Sequence, residues 1–218
     1  MTTALLSSRP RQARPALPVL GEIALPLGRV HEICGRARHR LALIAAAATT
    51  GPVIWIAPRW QPADLNPDGM VALIGPERLI LVTPERPIDL LWCMEEALRS
   101  GAAALIVADL PDPPGLTPVR RLHLAAEAAP DGPPLGLLLT PGGGGAPGVE
   151  TRLQMSPAHL PGTSRWQLTR LRARTAPPCS WHVTGRPGRW HLSPFSTLAT
   201  QPHPKGAPAA HSLSRPWP

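Results

Sequence analysis

The chain has 218 residues, of which 43% are hydrophobic, so it is long enough to bury the core of one domain of ordinary size. It contains 22 basic and 14 acidic residues, and the resulting net charge of +8 favours polyanionic partners over basic ones. Proline is unusually frequent at 31 residues and is dense before Leu27 and after Ser193, so we expect both ends to be poorly ordered.

The cysteines and the apolar stretches exclude several classes of protein. Cys34, Cys93 and Cys179 are widely separated and have no CxxC spacing, so we expect reduced, mostly buried thiols and neither a disulfide framework nor a zinc site. No signal-peptide pattern begins the chain. The most apolar stretch, 41–57, is interrupted by the sequence TTGP and is too short to span a membrane. We expect a cytoplasmic protein that has no membrane contact.

Strand and helix patterns alternate from residue 29 to residue 140. The predicted strands outside the central unit described next are Arg29–Cys34, 53–57, Leu79–Val82 and 135–139. The predicted helices outside it are 38–49, 70–74 and one capped by Thr117, with Pro118 at its first position and Val119, Leu122 and Ala126 on its buried side. This alternation predicts right-handed crossovers and an α/β fold with a mostly parallel sheet flanked by helices.

The central unit, 87–110, has the clearest pattern. Four apolar residues recur at helical spacing, and they are Ile88, Leu91, Met94 and Leu98. Gly101 is predicted to end this helix. A continuous apolar run over 102–108 follows and ends at Asp109, as is typical of a strand covered on both faces.

The pattern changes after the glycine-rich stretch 142–145. No lysine and no helix start follows these glycines, so we expect a flexible loop and not a phosphate site. Alternation of apolar and polar residues then predicts antiparallel edge strands over 151–155, 166–174 and 180–183, near the C-terminal end of the domain. The resulting division is a flexible N-terminal segment over 1–16, a domain over 17–192 and a proline-rich disordered tail over 193–218.

The turn after the first strand decides a mechanistic question. A P-loop nucleotidase has GxxxxGK[ST] at this place, whereas this chain has GRARHR over 35–40, with neither the second glycine nor the lysine. Its only lysine is Lys205, in the predicted tail, and arginine does not replace the compact ammonium of a P-loop lysine. Asp109 lies at the carboxyl end of a strand, where doubly wound folds place functional groups; the alternative is a turn-forming acid before Pro111.

Several blocks resemble known families. The sequence GRVHEICG at 28–35 resembles the strand that enters the nucleotide loop of RecA recombinases, and 95–110 resembles the RecA segment that ends in the Walker B aspartate. The better match is the ImuA family of RecA-like bacterial accessory proteins of SOS-induced translesion synthesis. The matching segments are LPLG at 25–28, GPVIWIA at 51–57, LLWCMEEALRSGA at 90–102 and RRLHLAAE at 120–127.

The resemblance implies a RecA-like domain over 17–192 that lacks the groups needed for nucleotide hydrolysis. Its degenerate nucleotide loop consists of Gly35, Arg36, Arg38 and Arg40, and its Walker B-like residue is Asp109. The strand end at Ala57 is followed by no carboxylate where RecA has its water-activating glutamate. The resemblance therefore implies no enzyme activity, no catalytic residue, no metal and no cofactor.

The same resemblance implies the partners. They are a catalytically inactive Y-family polymerase homologue and an error-prone replicative-type polymerase, with RecA as a further candidate. Two other functions stay open, namely an SOS cell-division-inhibitor-like regulator and a DNA-dependent ATPase of recombinase type.

Two arginine clusters are candidates for contact with DNA or with a protein partner. One is Arg36, Arg38 and Arg40, and the other is Arg170, Arg172 and Arg174, which would share one face of a strand. The alternative is that both are ordinary solvated charges. Any DNA contact would be nonspecific and to phosphates, because no base-reading motif is present.

Overall fold

The computed structural model describes residues 14–61, 65–130 and 132–195. The strands are β1 (Ala16–Leu20), β2 (Ile23–Pro26), β3 (Arg29–Cys34), β4 (Val53–Ile56), β5 (Leu79–Val82), β6 (Leu105–Asp109), β7 (Leu135–Thr140), β8 (Thr151–Pro157), β9 (Arg165–Ala173), β10 (Cys179–Arg186) and β11 (Arg189–Pro194). The α-helices are α1 (Arg38–Ala47), α2 (Pro67–Val71), α3 (Pro87–Ser100) and α4 (Leu116–Glu127), and one 3₁₀ turn spans Pro76–Arg78.

One large sheet contains nine strands in the order β11-β10-β9-β8-β3-β7-β6-β4-β5. The six strands from β8 to β5 in this order are parallel, and β9, β10 and β11 continue the sheet as antiparallel neighbours of β8. The predicted α/β class, with a mostly parallel sheet, flanking helices and antiparallel strands near the C-terminal end, is thus confirmed.

The helices cover both faces of the parallel strands, and the direction of the chain explains which face each takes. From β3 to β4 and β5 the chain moves towards one edge through α1 and α2, whose apolar residues pack on one face together with the separate β1–β2 hairpin. It then returns through β6 to β7 by way of α3 and α4 on the other face. Right-handed crossovers require this exchange of faces when the direction reverses.

The central unit has the predicted order but a different helix face. Gly101 ends α3 with φ of 67°, as predicted. Leu90, Met94 and Leu98 are buried, whereas Ile88, which was assigned to the apolar face, is 76% exposed. The buried stripe therefore follows i, i+4 and i+8 from Leu90, and the strand after it begins at residue 105 and not at 102.

Other parts of the chain also differ from the prediction. The α4 helix begins at Leu116 after Gly115 and has no side-chain cap, so the assignment of Thr117 as the cap was wrong, although Val119 and Leu122 are buried as expected. The short helix α2 begins three residues before the predicted 70–74. Residues up to Leu27 were expected to be poorly ordered, yet they contain the β1–β2 hairpin with a turn at Gly21, where φ is 49°.

The predicted flexible segment over 1–16 and the predicted tail over 193–218 lie mostly outside the described residues. The parts that are described, 14–16 and 193–195, include the start of β1 and the end of β11. In the described ranges no helix is both long and apolar enough to cross a membrane.

Candidate functional site

The turn between β3 and α1 packs directly against the backbone of β8. Gly35 has φ of 89°, and a Cβ atom at this position would lie 2.4 Å from the carbonyl oxygen of Met155. Only glycine fits such a contact, because any side chain would strain the backbone and collide with the neighbouring strand. The glycine that the resemblance assigns to the nucleotide loop is therefore required by close packing.

Two backbone amides of this turn are paired with carbonyl groups elsewhere in the protein. The Gly35 amide donates to the Gly142 carbonyl oxygen at 3.0 Å, and the Ala37 amide donates to the Met155 carbonyl oxygen at 2.9 Å. Amides at a strand-to-helix turn are the groups that hold a phosphate when they point at an anion. Here two carbonyl groups take the place of that anion.

Asp109 ends β6 and contacts the first turn of α1. Its Oδ2 lies 2.6 Å from Nε2 of His39, and its Oδ1 lies 3.5 Å from Nε of Arg38. The first turn of α1 contains no acidic residue and begins with basic ones, which is unfavourable at the positive end of a helix dipole. Asp109 supplies the missing negative charge from a neighbouring strand.

Little space remains beside this carboxylate. The cavity that Asp109 shares with Pro58, Gln61, Leu110 and Pro111 has a volume of only about 10 Å³. That is room for roughly one water molecule. In the described part of the chain, no group of three or more His, Cys, Asp and Glu side chains could hold a metal ion.

The three arginines of this turn do not form one patch, which corrects the expected cluster. Arg36 is exposed, and Arg38 turns towards Asp109. Arg40 leaves the turn altogether, since its guanidinium lies 4.2 Å from the ring centre of Trp166 and 5.4 Å from that of Trp190. Burial in this aromatic site lowers the pKa of Arg40.

The second arginine cluster is also divided between two faces. Arg170 lies over Trp181 at 5.0 Å, on the face that carries the β1–β2 hairpin. A register shift leaves the next residue of β9 without a partner, so Arg172 pairs with Arg152 on the opposite face. Arg174 follows the end of β9 and contacts Glu150 at 3.3 Å. The prediction that these three share one face was wrong.

A buried carboxylate next to the turn was missed by the sequence analysis. Glu32 is fully buried in β3 and accepts hydrogen bonds from the Thr140 hydroxyl at 2.7 Å and from the Gly145 amide at 2.8 Å. It also accepts from the Ala146 amide and forms an ion pair with Arg152. The glycine-rich loop is thus anchored to β3 and to the turn, and it is not the unconstrained loop that we expected.

The sequence does contain a signal for this anchor. Glu32 is the one acidic residue in an otherwise buried strand, and Arg152 alternates with the apolar residues of β8. A charged residue inside a buried strand requires a partner. The partner, however, lies 120 residues away, and only the pairing of β3 with β8 identifies it.

Two histidines contact backbone groups around β3, and His31 is fully buried whereas His123 is half-buried. His31 donates from Nε2 to the carbonyl oxygen of Pro26 at 3.0 Å, and burial lowers its pKa to about 4. His123 accepts from the Val30 amide at Nδ1 and donates from Nε2 to the Gly148 carbonyl oxygen at 3.1 Å. Burial also lowers the pKa of His123. These rings satisfy backbone groups around β3.

The cysteines are all free thiols. Cys34 is buried, whereas Cys93 and Cys179 are half-buried. Burial, together with the nearby Glu32 charge, raises the pKa of Cys34 to about 11, so its thiol is protonated and unreactive at neutral pH.

Compared with known proteins, the chain matches no family model and no curated protein.

Proposed function

We propose that this chain is a non-catalytic, RecA-like accessory protein of SOS-induced error-prone translesion synthesis. It acts by protein contacts with an inactive Y-family polymerase homologue and works beside an error-prone replicative-type polymerase. The family assignment comes from the sequence blocks quoted above. Three features of the structure support the proposal, and they concern the sheet, the turn and an exposed apolar surface.

The layout of the sheet supports a RecA-like core. The degenerate turn follows β3, Asp109 ends β6, and β7 lies between these two strands and pairs with both in parallel. The register places Cys34 beside Thr140 and Asp109 beside Leu139, so the turn and the carboxylate both lie at the carboxyl ends of the parallel strands. Open α/β sheets bind their ligands at these strand ends.

The observation on which the non-catalytic role depends is the pairing of the Gly35 and Ala37 amides. A phosphate needs free amides and a cation, and a nucleotide also needs space next to the Walker B-like carboxylate. The Gly35 and Ala37 amides are bonded to Gly142 and Met155, and Asp109 is engaged by His39. The chain is therefore expected to act without binding a nucleotide at this turn.

An apolar surface at the far edge of the sheet is suited to protein contacts. We define it by three residues that are 49 to 76% exposed on the α3 side of the sheet, Ile80, Ile88 and Trp92. Ile80 lies on the edge strand β5, and Ile88 and Trp92 lie on α3, where they line a groove of about 650 Å³. Exposed apolar clusters and unpaired strand edges are typical of protein interaction sites. We assign this apolar surface to the polymerase homologue.

The test combines a genetic and a binding measurement. Deletion of the gene should lower damage-induced mutation frequency in the native host, and the wild-type gene should restore it. The variant Ile88→Asp should weaken binding to the purified polymerase homologue at least tenfold and should fail to restore mutagenesis. Leu124→Asp is the matched control, because Leu124 is 65% exposed on α4, away from the apolar surface.

Each alternative function gives a different result. A deletion that leaves mutation frequency unchanged but releases a block in cell division would indicate the division-inhibitor class. Micromolar ATP affinity by calorimetry, or turnover stimulated by DNA, would indicate a recombinase-type ATPase.

A further inference from the structure

Charge is strongly segregated between the two parts of the sheet. All 14 acidic residues of the chain occur at or before Glu150. The antiparallel part, residues 151–195, has no Asp or Glu and contains seven arginines, Arg152, Arg165, Arg170, Arg172, Arg174, Arg186 and Arg189. The positive charge of this part of the protein favours binding of a polyanion over binding of a basic partner.

One face of the antiparallel strands is polar from edge to edge, and we call it the open face. Residues that lie directly opposite each other in a sheet point to the same side, so the register defines the rows of this face. One row is Ser156, Gln167, His182 and Ser193. The next rows are Gln154, Thr169 and Ser180 on one side, and Arg165, Thr184 and His191 on the other.

The open face differs from the opposite face of the same strands. On that opposite face Trp166, Leu168 and Trp181 are buried in the core with α1 and the hairpin. On the side of the open face, α3 and α4 pack on strands β3, β4, β6 and β7 of the parallel part. The side chains of the open face are accordingly half-exposed or exposed, as in His182, Thr184 and His191.

Besides Arg152, four arginines lie on or at the rim of the open face. Arg165 is opposite Thr184, Arg172 is opposite Arg152, and Arg186 is opposite Arg189 at the tip of the last hairpin. Arg152 is neutralised by Glu32, but Arg186 and Arg189 are both exposed and have no acid on their strands. Two like charges directly opposite each other destabilise a sheet, so folding alone does not explain them.

Planar rings accompany these charges. The His182 ring lies 4.8 Å from the ring of Phe195, which directly follows β11 and is 38% exposed. His191 is exposed one row away. Aromatic and imidazole rings on a basic sheet surface are a platform on which unpaired bases can stack.

From this geometry we infer that the open face of β8–β11 binds single-stranded nucleic acid. Arg165, Arg172, Arg186 and Arg189 contact the phosphates, and the rings of His182, His191 and Phe195 stack on bases. A single strand fits better than a duplex, because a duplex keeps its base faces stacked inside the helix. This surface does not depend on the role in damage bypass, and either conclusion can fail without the other.

Fluorescence anisotropy with a labelled 20-nucleotide deoxythymidine strand tests the inference. The full chain should bind this probe more tightly than a duplex or an abasic strand of equal length. Each phosphate contact adds about 0.7 to the slope of log affinity against log salt for a single strand, so Arg186→Ala with Arg189→Ala should flatten the slope by about 1.4. Phe195→Ala should reduce affinity by roughly fivefold or more and leave the slope unchanged.

The matched control removes the same charge from the other end of the sheet. Arg59 and Arg86 lie beside the edge strand β5, and their side chains are 69 and 75% exposed. Arg59→Ala with Arg86→Ala should leave both affinity and slope unchanged, and circular dichroism should show that all variants are folded. Equal slopes for the two double variants, or equal affinity for the abasic and the base-containing strands, would overturn the inference.

Discussion

Replacement of Glu32 by glutamine should destabilise the protein more than any exposed ion pair could. The change keeps the shape of the side chain, but it removes the charge that pairs with Arg152 and replaces one acceptor oxygen with a donor. At the position of Oε1 that donor would face the Thr140 hydroxyl and the Gly145 amide, which now donate to Glu32 at 2.7 and 2.8 Å, and at the position of Oε2 it would face Arg152. Glu32 is fully buried, so water cannot compensate for the loss.

The magnitude follows from this burial. Removal of one partner from a buried ion pair costs about 3 to 5 kcal/mol. The Arg152 side chain is 19% exposed and can recover some hydration, so we expect the lower end, about 3 kcal/mol. For a domain of this size each kcal/mol lowers the melting temperature by about 2 to 4 °C, which gives a decrease of about 6 to 12 °C.

Urea unfolding followed by tryptophan fluorescence measures the free energy of unfolding directly. The matched control is Glu85→Gln, because Glu85 and its partner Arg59 are 72 and 69% exposed. An exposed pair of this kind contributes less than about 1 kcal/mol. A double-mutant cycle with Arg152→Met should show that the double variant is less destabilised than the sum of the single variants. Glu32→Gln within about 1 kcal/mol of wild type would refute the anchoring role of Glu32.

Three further predictions concern other contacts of the core. In the unfolded state His31 binds a proton below about pH 6.5, whereas the folded ring has a pKa of about 4 and does not, so the free energy of unfolding should fall as the pH is lowered. Urea unfolding should show a loss of about 2 kcal/mol between pH 7 and pH 5, and His31→Gln should not show this loss. Asp109→Ala removes the charge that compensates the basic start of α1, so thermal melting should show a loss of about 1 to 2 kcal/mol in the free energy of unfolding. Damage-induced mutagenesis should stay nearly unchanged, and loss of mutagenesis in a folded variant would indicate that Asp109 has a catalytic role. Arg40→Ala should cost about 1 kcal/mol and shift the tryptophan emission spectrum, whereas Arg36→Ala, at an exposed position of the same turn, should do neither.

The parallel core was predictable because its signal is local. Every residue of β6 and β7 is buried, and such strands are continuous apolar runs that can be identified without knowledge of their neighbours. The β1–β2 hairpin was missed because the dense prolines before Leu27 predict poor order, yet one of them, Pro18, lies within β1. This proline is tolerated since β1 pairs only with β2, at an irregular position, and needs no second partner for its backbone.

The contacts of the candidate site were less predictable because they depend on pairings between distant strands. Alternation along β9 predicts one face for Arg170 and Arg172, but a single unpaired residue between them reverses the side of the second. Arg40 is part of the turn in the sequence, but its guanidinium packs on the tryptophans of β9 and β11. No local pattern specifies either outcome.

The turn between β3 and α1 differs from a phosphate loop in its backbone as well as in its side chains. A lysine placed at Arg36 would supply a cation, yet the Gly35 and Ala37 amides would still donate to the carbonyl oxygens of Gly142 and Met155. Those carbonyls cannot simply move away, because Glu32 holds the Gly145 amide of the glycine-rich loop and Met155 is part of the continuous strand β8. Recovery of a phosphate site would therefore require a longer turn, a displaced loop and the loss of the Glu32 anchor at the same time.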